Sequence, residues 1–302
     1  RRGWHPERSA TYPKREKALV IGGGPAGLEA ALTLGRRGLE VTLAEADNTL
    51  SGRLLREATL PGLATWMRVR DWRVHMIGKL PNVQTFPGSR MAASDIAEFG
   101  ADHVVLATGS HWRRDAVGVY AIRHLDLPAA LNPDDIFLGA QVLGPVVIYD
   151  DEHYFMGGAL AERLAAQGHE VHLVTTASLA SSWTVMTNEQ DFLQARLIEA
   201  GVTIHPLKAL TSQGADHATF ACVFTGREER MDCRTLILAT GRLPDLVLWH
   251  DLTTHGTPAA RIGDCLAPSS IADVVYSAHR YARLLGESEL PPRRERAPDR
   301  SL

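Results

Sequence analysis

The stretch ALVIGGGPAGLEAALTLGRRGLEVTLAEAD, residues 18–47, restricts the possible folds of this chain more than any other segment. Ala18–Ile21 is a short apolar run that stops on glycines, which reads as a buried parallel strand. From Pro25 to about Arg37 the apolar residues Ala26, Ala30, Ala31 and Leu34 recur at helical spacing, and Gly38 fits the helix end. Glu40–Ala44 supplies the next strand. Strand, helix and strand in this order form a βαβ unit, so the fold class is α/β.

Gly22, Gly24 and Gly27 fit G-x-G-x-x-G between the strand and the helix. Gly22 permits the tight turn, Gly24 lets the main chain approach a pyrophosphate, and Gly27 lets helix and strand pack closely. Pro25 and Ala26 open a helix whose free N–H groups and dipole would face the phosphates. Glu45 lies 18 positions beyond Gly27, close to the spacing of a carboxylate that grips ribose hydroxyls, and it favours a free 2′-hydroxyl. Ala46, Gly52 and Arg53, which follow it, belong to the same candidate set. The alternative is a tight structural turn with no ligand. Asp264, after Gly263, would reach the ribityl or pyrophosphate part of a flavin nucleotide, or else serve as a helix cap or turn acid. Thr108 and Gly109 let the backbone pass close to the nucleotide, or simply end a strand.

A second stretch, VVIYDDEHYFMGGALAERLAAQGHEVHLV (146–174), repeats this rhythm without the glycines. At the matching turn stand Asp150, Asp151, Glu152, His153, Tyr154, Phe155 and Met156. Three carboxylates repel a pyrophosphate at short range, the two aromatics fill its space, and the acids can satisfy the helix end themselves. This unit is therefore expected not to bind NAD(P)H. The competing reading makes Gly157 and Gly158 a shifted cradle for another ligand.

Two βαβ units, two strands ending in ATG (104–109 and 234–242) and a late Gly-Asp imply two Rossmann-like domains, the second inserted in the first. The expected division is a linker at 1–17, an FAD/ADP-binding domain at 18–140 and 235–286, a degenerate NAD(P)-like domain at 141–234, and a disordered tail at 287–302. Residues 62–80 read as a helix, 188–200 as a helix, and 215–233 as a hairpin. The chain has 302 residues and a net charge of −3, which gives no pull toward nucleic acid or acidic membranes. No apolar run approaches the roughly 18 residues that span a bilayer. The polar opening carries no signal-peptide pattern. A cytoplasmic location is the expectation.

Several of these segments together resemble the C-terminal nucleotide-binding portion of the trimethylamine dehydrogenase family, with its histamine and dimethylamine dehydrogenases and, more distantly, 2,4-dienoyl-CoA reductase. They are RRGWHPE (1–7), VIGGGPAGLEAA (20–31), LPGLATWMRVRDWR (60–73), FGADHVVLATG (99–109), YFMGGALAERLAAQGHEVHLV (154–174), LILATGR (236–242) and IGDCLAPSSIADVVYSAHRYA (262–282). The resemblance implies that a (β/α)8 barrel with FMN, followed by a 4Fe–4S cluster, precedes the part seen here. Because the barrel and the cluster cysteines are absent and the chain opens on Arg1, a fragment is expected. The resemblance also implies FAD or ADP in the first cradle, oxidation of an amine by the parent, and electron delivery to a carrier protein. A homo-oligomer is possible within this family pattern.

Cys222, Cys233 and Cys265 have no CxxC spacing, which argues against a zinc site or an iron–sulfur cluster here, and Cys265 reads as structural. His169 and His172 sit three apart on a strand and would face opposite ways, so no metal is assigned to them. The Arg- and Trp-bearing helix at 62–79 is expected to dock its apolar side on another domain rather than on nucleic acid. No catalytic set of residues is found. Three functions follow: the nucleotide-binding module of a flavin-dependent amine dehydrogenase, an ADP-stapled structural domain, or an NAD(P)H-dependent flavin reductase.

Overall fold

The computed structural model describes residues 10–287. The RRGWHPE opening and the Pro- and Arg-rich tail from residue 288 lie outside them. Strand β1 (Lys17–Ile21) is buried along Ala18–Ile21 because both of its faces are covered. Alternation along the strand sends Ala18 and Val20 to one side and Leu19 and Ile21 to the other. Helix α1 (Pro25–Arg36) returns the chain to β2 (Glu40–Ala44), which lies parallel to β1. After a four-residue helix, α2 (Leu54–Glu57), come α3 (Met67–Ile77), β3 (Val83–Phe86), α4 (Ala93–Phe99) and β4 (His103–Leu106).

Short β5 (Ser110–Trp112) and α5 (Pro133–Phe137) lead to β6 (Val146–Asp150), α6 (Phe155–Ala166) and β7 (Val171–Thr175). Then follow α7 (Gln190–Glu199), β8 (Thr203–His205), β9 (Lys208–Gln213), β10 (His217–Cys222), β11 (Glu228–Asp232), β12 (Thr235–Ala239) and β13 (Arg242–Pro244). The chain ends its described course with α8 (Val247–Thr254), β14 (Ala260–Arg261) and α9 (Ile271–Leu284).

These elements form two compact units. Among the described residues, the first holds those up to Leu55, Trp66–Ser110, and those from Pro244 onward. Its parallel sheet has the order β14-β4-β1-β2-β3. On one face Leu28, Leu32 and Ala31 of α1 meet Ala278 and Ala282 of α9 and Ile77 of α3. On the other, Ile96 of α4 and Leu252 of α8 cover Leu19, Ile21 and Leu106. The second unit holds Arg56–Thr65 and His111–Leu243. Its parallel sheet runs β12-β6-β7-β8, and the antiparallel sheet β11-β10-β9 packs Leu210, Ala218 and Phe220 against Val147, Tyr149, Leu236 and Leu238. Two α/β units, one inserted in the other, make up the described chain.

The chain returns to the first unit at Pro244, not near residue 235. Thr235–Ala239 is buried throughout and pairs with β6, so the second ATG strand belongs to the second unit. The expected hairpin has a third strand, β9, whose polar run Thr211–Ser212–Gln213 hides its alternation. Helix α3 does not wait for a foreign domain: Val74, Ile77 and Leu80 pack into the core of its own unit.

That unit is also tied internally by charge. Glu29 of α1 is 6% exposed; its Oε2 accepts from Arg73 Nε at 2.7 Å, and its Oε1 lies 2.7 Å from His279 Nδ1. Burial alone would raise this carboxyl, but the His279 hydrogen bond and the Arg73 charge outweigh it and hold Glu29 below its ordinary value. Its contribution is therefore present above the unfolded carboxyl range and is lost as pH falls through the folded value. Replacing Glu29 with Gln leaves the half-buried Arg73 guanidinium without its anion and should cost about 2–4 kcal/mol near neutral pH. Urea unfolding of Glu29→Gln checks this; the difference from wild type should shrink in acid.

Candidate functional site

The turn from β1 into α1 is shaped by main chain meeting main chain. Gly22 has φ +105°, and a β-carbon there would overlap the Ala107 carbonyl at the end of β4. A β-carbon on Gly27 would overlap the Gly22 carbonyl. Both glycines are thus required by the protein itself. Gly24 is different. Its φ of −72° and ψ of −176° are open to any residue, and the nearest atom to an added β-carbon is Gly52 Cα at 3.9 Å. Among the described residues nothing demands glycine at that position.

The start of α1 is left for an anion. Gly24 is its N-cap, no side chain caps it, and its first turn holds no acid. The other candidate residues converge on this helix end. Glu45 is 7% exposed and accepts from Gly23 N at 2.5 Å and Asp47 N at 2.8 Å, so it pins the glycine turn. Ala46, next to it, is exposed. Gly52 abuts Gly24, and Arg53 follows it. Gly263 sits against Ala26 in the first turn of α1, which brings Asp264 to the same place. Thr108 and Gly109 close the rim: Thr108 Oγ1 donates to Asp245 O at 3.0 Å, and Gly109 has φ +85° with open space beside it.

Asp264 is 8% exposed and already engaged. Its Oδ1 accepts from Ser269 N and its Oδ2 from Ser110 Oγ, both at 3.0 Å. Arg53 Nη1 donates to the same Ser110 hydroxyl at 3.1 Å. Sequence reasoning missed Ser110; the signal was its place directly after the ATG strand end. Cys265 is fully buried, and its thiol donates to Leu106 O at 2.9 Å, a structural use.

In the second unit the acids of the turn are engaged within the chain. Glu152 Oε2 accepts from Met156 N in the first turn of α6 at 3.3 Å. Asp151, wholly buried, accepts from Ala121 N at 2.8 Å, Tyr120 N at 3.1 Å and Thr176 Oγ1 at 2.6 Å. Asp150, also wholly buried, accepts from His153 N at 3.0 Å, while its Oδ2 has no partner. Gly157 and Gly158 form no shifted cradle. They lie inside α6, where β-carbons would strike Asp150 Cγ at 2.6 Å and Ser181 Oγ at 2.7 Å. Gly157 is the third residue of its helix, as Gly27 is of α1, so only the last glycine of the motif persists.

Burial pushes the Asp150 carboxyl up to about 6, with the Asp151 charge adding to it. Burial and Asp150 push Glu152 up to about 7. Neither side chain favours a further negative group beside it. His172, which had been set against His169, instead meets His205 across β7 and β8, with nitrogens 3.1 Å apart. Among the described residues no group of three or more His, Cys, Asp or Glu could hold a metal ion, and no helix is long and apolar enough to cross a membrane.

Residues 16–126 match the family described as pyridine nucleotide-disulphide oxidoreductase, and residues 131–212 match the OYE-like second alpha/beta domain. The chain is 30% identical to dimethylamine dehydrogenase of Hyphomicrobium sp. (strain x), covering 96% of this chain and 44% of that protein. The structure is similar to histamine dehydrogenase from Rhizobium sp. 4-9, with a TM-score of 0.92 and 40% identity over 96% of this chain and 47% of that one. It is also similar to 6-hydroxypseudooxynicotine amine oxidase from Pseudomonas geniculata N1, with a TM-score of 0.89, 39% identity, and coverage of 94% and 44%. The chain thus spans less than half the length of these relatives.

A carboxyl raised by folding binds its proton more tightly in the native state, so stability falls as pH rises from the unfolded range through the folded value. For Asp150 the loss is complete above about pH 6 and amounts to at most about 3 kcal/mol. Asp150→Asn should flatten this fall between about pH 4 and 7, read by urea unfolding at stepped pH. An unchanged slope would contradict the assignment.

Proposed function

Because the chain belongs to the family of dimethylamine and histamine dehydrogenases, we propose that it is the nucleotide-holding part of a flavin-dependent amine dehydrogenase or N-demethylase. The observation that carries this reading is Gly24. A glycine that neither its own conformation nor any neighbouring atom requires is explained by a ligand that must touch its main chain. The uncapped start of α1 supplies the electrostatic complement to a pyrophosphate. Glu45 would take the ribose hydroxyls, and Gly52, Arg53, Thr108 and Gly109 would line the phosphate side.

Between FAD and ADP we take ADP, which the resemblance to the amine dehydrogenases implies for this cradle. ADP supplies no redox chemistry; in this cradle it would act as a staple. The FMN and 4Fe–4S cluster implied by the resemblance would lie in the part of the relatives that this chain does not match. The amine, a barrel domain and an electron-transfer partner would engage that part. Against an NAD(P)H-using reductase stand the buried acids of the second turn.

Denaturing the purified chain and weighing the released small molecule tests the reading. ADP from a colourless protein is the expected result. FAD from a yellow protein would replace the ADP assignment, and no nucleotide at all would overturn the cradle. Gly24→Val should lower retained nucleotide at least tenfold while the nucleotide-free protein keeps its melting temperature, because the new side chain meets ligand rather than protein. Asp151→Ala should leave nucleotide content unchanged and weaken the second unit, since Tyr120 N, Ala121 N and Thr176 lose their acceptor.

A further inference from the structure

The parallel sheet of the second unit ends on β8, a strand of three residues, and an imidazole pair spans its last rung. His172 of β7 stands opposite Thr203, and Val174 stands opposite His205, so the two histidines lie diagonally on one face of the sheet. His172 Nδ1 and His205 Nε2 are 3.1 Å apart. Only Pro206 and Leu207 then separate β8 from β9. Leu207 has φ +59°, a left-handed conformation that is strained for leucine, and its N–H donates to Ala177 O at 3.1 Å. His205 is therefore the last residue of the parallel sheet before the chain crosses to the antiparallel one.

A hydrogen bond between two imidazoles has a fixed proton requirement: one nitrogen carries a proton and the other does not. With both rings neutral, or with one proton added to the pair, a donor still faces an acceptor. With two added, all four ring nitrogens are donors, and two like charges meet at 3.1 Å. The surroundings also oppose that second proton. Burial, then His172 and the Lys208 ammonium, hold His205 below its ordinary value, while Glu229 pulls the other way. Lys208 of β9 and Glu229 of β11 are themselves an ion pair. Exposed Glu170, just before β7, stands 3.4 Å from His172 Nε2, on the nitrogen that His205 does not meet.

We propose that His172 and His205 form an acid-sensitive latch, which holds β8 on β7 until the pair takes up its second proton and then releases the strand. The latch uses residues of the second unit alone and does not depend on the nucleotide cradle. Uptake of one proton makes the closed population fall about tenfold per pH unit below that step. Release leaves main-chain groups of β7 unpaired, an edge that another strand can join.

Native-state hydrogen exchange of the 302-residue chain tests this at the amides of Thr203–His205, read as protection factors so that the intrinsic pH dependence of exchange drops out. Between pH 7 and 5 their protection should fall about tenfold more than that of Val146–Asp150, inside the same sheet. His172→Gln and His205→Gln should each keep it nearly level, because a carboxamide oxygen still accepts from the one imidazole that is left. Asp150 and Glu152 also titrate near this range, but their raised values strengthen the folded state as pH falls. Glu229, held below its ordinary value by Lys208, keeps its charge. No extra loss in the wild type, or the same loss in wild type and both variants, overturns the proposal. Ring spectra of 15N-histidine-labelled wild type decide the matter even where a variant does not fold. A coupled pair changes in two steps, each seen in both rings, whereas two independent one-step titrations overturn the latch.

Discussion

The carbonyl oxygen of Gly22 occupies the space that a side chain on residue 27 would need. From this interlock the first unit takes its form. It seats α1 directly against the end of β1, so that the helix begins where the central strand of the sheet stops. Once that junction is closed, the strand ends, the loop after β2 and the turn after β14 have one place to converge. A parallel sheet with helices on both faces commonly presents its ligand site at such strand ends.

The second unit keeps the same scaffold and reverses its electrostatics. Its helix also carries a glycine at the third position, and that glycine packs on the residue ending the preceding strand. Here that residue is Asp150, and the turn is longer and acidic. Glu152 accepts the Met156 N–H in the first turn of α6, while Asp151 accepts from Tyr120 N and Ala121 N. The unit is therefore self-liganded. The negative charge costs something to bury, as the raised carboxyls of Asp150 and Glu152 record, and the surrounding hydrogen bonds offset part of it.

Much of this was legible from residue order. The strand–glycine–helix punctuation located β1, α1 and the cradle because those signals are local: chain reversal needs glycine, and a buried helix needs its apolar period. The acids at 150–152 announced the altered second turn for the same reason. What could not be read was long-range. The buried strand Thr235–Ala239 looks the same whichever sheet it joins, so the point of return was misplaced by several residues. Strand β9 hides behind polar residues because only one of its faces meets the core. The apolar side of α3 marked an interface, but sequence could not say that α1 was the partner. Ser110 carries no local signal for joining Arg53 to Asp264, since its two partners lie 57 and 154 positions away.

Arg37, 3% exposed at the far end of α1, donates to the carbonyls of Ala10 at 3.0 Å and Ala282 at 2.5 Å, and its guanidinium stacks over the Tyr12 ring. Both described ends of the polypeptide are thereby moored to the foot of the helix whose head forms the cradle. Shortening the chain into α9 would strip Arg37 of one carbonyl and Glu29 of its histidine, and so loosen α1 along its length. Cutting back from either terminus thus acts on the glycine turn through the opposite end of its helix.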